Sequence, residues 1–126
     1  MQNFRNLEVW NKAHGLVLEV YRVTDGFPRT EVFGLTSQLR RAAASIAANL
    51  AEGYGRTQLE FAGFIQIAFG SASEVEYHLL LARDLGFLDS RGYERLAPAG
   101  HRNETHAEFA SQEDSVIRDA QTRHTV

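Results

Sequence analysis

The sequence predicts an all-α fold, an up-down antiparallel four-helix bundle whose fourth helix is short or defective. Three observations predict it. Apolar residues recur at spacings of three and four along three long stretches, which gathers them on one face of each helix. Glycine clusters separate those stretches, and the only two prolines, Pro28 and Pro98, leave room for long uninterrupted helices between them. A chain of 126 residues, 44% hydrophobic and 23% charged, suits one globular domain with one shared core.

Helix one is expected from Asn6 or Leu7 to Gly26. Trp10, Ala13, Val17, Val20 and Thr24 form its stripe, flanked by Leu16 and Val23, and Asn6 is placed to cap an orphan backbone N–H. Asp25-Gly26-Phe27-Pro28 ends it, because glycine accepts the left-handed conformation and proline disfavours helix in the residue before it. Helix two follows Phe33-Gly34 with Leu35, Leu39, Ala42, Ile46 and Leu50 on one stripe. Its other positions are small: Ala43, Ala44, Ser45, Ala47, Ala48 and Ala51. Small residues on several faces let neighbours approach closely, so this helix is expected to be central or to touch another subunit. Gly53-Tyr54-Gly55 closes it.

Helix three is the longest, from Thr57 or Gln58 to Leu85, with Thr57 as cap and Glu60 as its capping-box partner. Phe61, Phe64, Ile65, Ala68, Phe69, Ala72, Val75, Leu79, Ala82 and Leu85 supply a broad apolar face, and Gly86 ends the helix. A short fourth helix opens after Asp89 or Ser90, turns Tyr93 and Leu96 inward, and lapses at Pro98. The bundle domain is therefore read as residues 1–98. Residues 99–126 form a weakly helical or disordered acidic tail, whose sizeable apolar residues are only Phe109, Val116, Ile117 and Val126.

Several function classes find no support in the residues. The chain has no cysteine, hence no disulfide, thiolate zinc site or cysteine nucleophile, in keeping with a reducing cytoplasm. The N-terminus lacks the apolar stretch of a signal peptide, and no run of about eighteen apolar residues suggests membrane insertion. Hydrolase, P-loop and dinucleotide-binding signatures are missing, and Gly53-Tyr54-Gly55-Arg56 joins two helices where a nucleotide loop would follow a strand. The expectation is a cytoplasmic, noncatalytic protein without cofactor.

Two sets of side chains could carry function. Gln38, Arg41, Ser45, Asn49 and Glu52 succeed one another at three-and-four spacing on helix two, with Ser71, Glu74 and His78 on helix three as partners. Such a stripe is either a ligand site or, more in keeping with the pairing that buried polar groups require, a network that fixes helix register or joins subunits. Glu52, Glu74 and His78 raise a metal reading, but the Glu-x-x-His repeats of di-iron bundles are absent and no metal site is expected. The second set is Arg40, Arg41 and Arg56, which either contact phosphates or form salt bridges with Glu52 and Glu60. A symmetric oligomer would repeat one modest patch into a belt.

These same residues carry a family resemblance. The run from Gly34 to Ile46, GLTSQLRRAAASI, and that from Asn49 to Arg56, NLAEGYGR, closely resemble the signature of the four-helix-bundle proteins encoded in intervening sequences of bacterial large-subunit ribosomal RNA genes. Leu7-Glu8-Val9-Trp10, Glu60-Phe61, Ala68-Phe69-Gly70-Ser71 and Glu74 extend the likeness over residues 4 to 97. The resemblance implies an up-down four-helix bundle that assembles as a homopentamer. A related branch, the accessory variability proteins of diversity-generating retroelements, implies pentameric barrels that bind nucleic acid and a reverse transcriptase.

The family pattern leads one to expect a basic amphipathic helix past Pro98, and the tail is neither basic nor amphipathic. Shifting the frame of the codons for Gly100 through Glu113, so that each new codon takes two bases from one residue and one from the next, permits V-T-E-M-K-R-M-L-N-S-L-A-K-K. Part of this is forced: the codons for Glu104, Gln112 and Glu113 must yield lysine or arginine, given their successors. We read the tail as the product of a one-base slip near codons 98 to 100, with ordinary divergence at a chain end as the alternative. The nucleotide sequence from codon 90 onward is expected to encode an amphipathic helix in the shifted frame. A stop met at once there, or no such helix, refutes the slip.

Charge then separates two functional readings. Residues 1–96 hold ten Lys or Arg against eleven Asp or Glu, and the remainder three against five. The first reading is a noncatalytic nucleic-acid-associated accessory protein, with Arg40, Arg41 and Arg56 on RNA or DNA phosphates. Its rival is a structural or protein-interaction scaffold that touches no nucleic acid, and the acidic balance speaks for it. The discriminating feature is whether the arginines line one exposed face or are consumed by carboxylates of their own chain.

Overall fold

The computed structural model of the chain describes residues 3–97 and 115–121. Its first element is a 3-10 turn, Phe4–Asn6, capped by the Asn3 side chain, which accepts from the Arg5 N–H. α1 follows over Glu8–Thr24. The expectation that Asn6 caps this helix is corrected, because Asn6 is taken up in the 3-10 turn and the cap position falls to Leu7. Leu7 has no side-chain oxygen but is fully buried, so apolar anchoring fixes the start of the helix in place of a polar cap. Trp10 adds to that anchor, stacked on His14 and edge-on to Phe4.

A second 3-10 turn, Arg29–Glu31, carries the chain from α1 to α2, Leu35–Gly53. The Glu31 carboxylate accepts from the Leu35 N–H at 3.1 Å, so α2 is capped from four residues upstream. The break after α2 falls at Tyr54 to Thr57, as the sequence places it, and α3 runs over Gln58–Asp84. Thr57 caps α3: its hydroxyl accepts from the Glu60 N–H and donates to the Glu60 carboxylate at 2.9 Å. At the far end Gly86 takes a positive φ of 83°, while Phe87 and Gly86 donate to the carbonyls of Ala82 and Arg83. That pair of bonds satisfies the last carbonyls of α3 and turns the chain back. α4, Ser90–Leu96, is capped by Asp89 and buries Tyr93 and Leu96.

α2 is the central helix. α1 and α3 each pack along it, in opposite directions to it, and meet each other far less. The small residues explain this: Ala42, Ala43 and Ala47 are buried, and where side chains are methyl groups the neighbouring backbones come close. Leu39, Val20, Ile65 and Leu79 fill the space between them and are completely buried. α4 closes one end of the bundle against α1 and α3, with Arg95 reaching Glu19 of α1 at 3.6 Å. All described elements are helical, and the architecture is a helix bundle.

Within the tail, residues 115–121 form a short helix, α5, which buries Val116 and Ala120 in the common core and half-buries Ile117. The apolar residues of the tail thus gather at spacings of one and four and contribute one small face. Residues 98–114 and 122–126, which hold most of the proposed tail, lie outside the described residues.

Candidate interaction surface

Adjacent residues on a helix point about 100° apart, and this sends Arg40 and Arg41 to opposite neighbours. Arg40 faces α1. Its Nε donates to the Thr24 hydroxyl at 2.8 Å, its Nη2 to the Tyr21 carbonyl at 3.3 Å and to Asp25 at 3.1 Å, and its guanidinium lies over the Tyr21 ring. Thr24, buried, passes its own proton to the Val20 carbonyl at 2.7 Å. Arg40 therefore ties the end of α1 to α2 through its Nε and Nη2. Arg41 faces α3 and donates to Glu74 at 2.8 Å. That pair is largely exposed, so it contributes under about 1 kcal/mol to stability and mainly marks the register of the two helices.

Arg56 stands at the opposite end of the bundle, in the turn between α2 and α3. It donates to the Glu52 carboxylate at 3.0 Å, to the Glu52 carbonyl at 3.1 Å and to Glu60 at 3.4 Å, and its guanidinium lies over the Phe64 ring. Arg40 thus faces away from the other two, Arg41 and Arg56 lie apart along the α2–α3 seam, and each of the three meets a carboxylate of its own chain.

The polar stripe divides in the same way. Asn49 donates to the carbonyl and the hydroxyl of Ser45 at 2.8 and 3.0 Å, and Ser71 donates to the Ser45 hydroxyl at 2.9 Å. Ser45, Asn49 and Ser71 form one bridge between α2 and α3, half-buried and fully within hydrogen-bond range. Glu74 belongs with Arg41, and Glu52 with Arg56. Gln38 is exposed and makes no side-chain hydrogen bond among the described residues. Apart from Gln38 and His78, the residues expected in one network therefore fall into separate contacts strung along the α2–α3 seam, because a straight helix places residues four apart about 6 Å from one another along its axis.

His78, one turn beyond Glu74, is buried with its Nδ1 unpaired. Glu74 and Glu52 are engaged by different arginines at separate points of the seam, and among the described residues no three histidine or acidic side chains converge as a metal site would need.

The surface that spacing alone failed to reveal is on α3. The apolar residues of this helix run nearly round it, and Leu59, Ile67 and Tyr77 are exposed by 85%, 54% and 58%. Leu85, expected on the inner face, is also half-exposed, since it lies past the last turn, where the chain reverses toward Gly86. A count of positions outside the 61–65–68–75–79–82 stripe would have shown the surplus.

Fold and surface together define a class: a helix bundle whose polar side chains bind its own helices to one another. The family model described as 23S rRNA-intervening sequence protein matches residues 5–112, and the chain belongs to that family. The match runs past residue 97, where the likeness in the motifs ends. No curated protein matches the chain. Among the described residues no helix is long and apolar enough to cross a membrane.

Proposed function

We propose that the chain is a noncatalytic scaffold that associates with copies of itself in the cytoplasm and does not act by binding nucleic acid. One observation carries this reading: Arg40, Arg41 and Arg56 are directed to three separate places and paired there with Asp25, Glu74, and Glu52 with Glu60. A phosphate would have to displace these carboxylates one by one. The homopentamer implied by the family resemblance is the assembly this reading adopts.

RNA and DNA titrations across a salt series, with light scattering on the same samples, test both halves. The expected result is no measurable binding at about 50 mM salt, together with a scattering mass of five chains. Binding that falls steeply with salt and weakens in Arg41→Ala or Arg56→Ala would overturn the scaffold in favour of the nucleic-acid reading. A monomer at every concentration would remove the assembly.

A further inference from the structure

The helices of this chain differ widely in what holds them. α4 and α5 are both seven residues long, too short to be stable alone, so each exists only while docked. α4 is well anchored. Asp89 caps it by accepting from the Gly92 N–H at 2.7 Å, Tyr93 and Leu96 are buried, Arg83 lies over the Tyr93 ring, and Arg95 reaches Glu19 of α1. The buried side chains of α5 are one valine and one alanine, Val116 and Ala120, with Ile117 half-buried. They nevertheless enter the core that the other helices share. α4 follows α3 after five residues, 85–89, whereas eighteen residues, 97–114, separate α5 from α4.

We infer that α5 is a strap: it closes an apolar site on the bundle and releases as a unit, losing its helix as it leaves, while α1 to α4 stay folded. A valine and an alanine make the smallest buried apolar anchor of the five α-helices. Against it stand the ordering of seven residues and the closure of a long loop. A segment so held opens before the whole. What it uncovers is apolar, since Val116 and Ala120 are only 9% and 4% exposed and press on the common core. The open form thus presents a site shaped for side chains four apart on one face of a helix. α5 lies beyond the match to the family, which ends at residue 112. A tail acquired by a one-base slip is held in this same way, by side chains that fall inward through spacing alone.

Hydrogen exchange on the full chain, resolved to single amides, tests the strap, with Val116→Asp as the variant and binding of the apolar dye anilinonaphthalene sulfonate as a second measurement. The amides to follow are Asp119, Ala120 and Gln121, which lie past the four N–H groups that a helix leaves unbonded at its start. In the wild type they are expected to be protected, yet to exchange about 100-fold faster than those of Leu39 to Leu50 in α2. Val116→Asp should bring them to the rate of an unfolded chain, leave the α2 rates within about twofold, and raise the dye fluorescence. Exchange of α5 at the rate of α2, or a loss of protection in every helix of Val116→Asp together, overturns the strap and makes α5 part of the core. Amides of α5 unprotected in the wild type overturn its docking. Release of α5 without a rise in dye fluorescence overturns the apolar site. An α5 rate that falls as the protein is concentrated also overturns the strap, since a neighbouring copy would then hold the helix.

Discussion

Leu39→Ala is expected to lower the unfolding free energy by about 2–5 kcal/mol. Leu39 is completely buried on α2, the helix that both α1 and α3 contact. Truncation therefore opens a cavity in the core around the central helix, which its neighbours can fill only in part. Domains of this size have about 5–15 kcal/mol of stability, so the variant should unfold at a markedly lower urea midpoint, with the slope unchanged, at fixed protein concentration. A loss below about 1 kcal/mol, the ordinary range for a surface position, would show that α2 is not the centre of the core.

Gly53→Ala is expected to destabilise by about 1–3 kcal/mol, although alanine is the better helix former. A Cβ at this position would lie 2.7 Å from the Phe64 Cβ and 2.9 Å from the Phe61 Cδ1. The nearer contact is with a Cβ, which is fixed to the backbone of α3, so relief requires the α2–α3 corner to open. Gly15→Ala is the matched control. Nothing lies within 4 Å of its added Cβ, and the gain in helix propensity, up to about 1 kcal/mol, should appear unopposed. Thermal melts that shift in the same direction for both variants would refute the assignment of Gly53 to close helix packing.

Gly53 also shows what kind of information a sequence holds. In the run Gly53-Tyr54-Gly55 both glycines are accounted for, at first sight, by a turn. Only Gly55 is: its φ is 95°, where other residues are strained. Gly53 is the last residue of α2 and is selected by the two phenylalanines of α3 that press on it, a contact between residues about two and three turns apart across a corner. Turn chemistry is local and can be read from neighbours in sequence. Clearance between helices depends on where the second helix lies.

The arginines divide along the same line. Their number, and the carboxylates near Arg56 in sequence, are legible, and the pairing of Arg56 with Glu52 and Glu60 follows from i, i+4 spacing. The partners of Arg40 and Arg41, Asp25 and Glu74, are 15 and 33 residues away and come within reach only through helix packing. It is those two that separate a phosphate-binding face from an internally tied bundle.

By itself the sequence determined the helical class, the stop and start signals at Gly26, Gly34, Gly53 to Thr57, Gly86 and Asp89, the inward residues of α2 and the family signature. Each of these is carried by side chains within a turn or two of one another, where periodicity and capping act. The tertiary structure alone decided that Leu7 replaces Asn6 at the head of α1, that the polar stripe breaks into separate bridges, that the arginines scatter, and that α3 retains an uncovered apolar face. All four depend on which surfaces the other helices leave free, and a helix amphipathic toward two neighbours reads the same in sequence as one that keeps a third side for a partner.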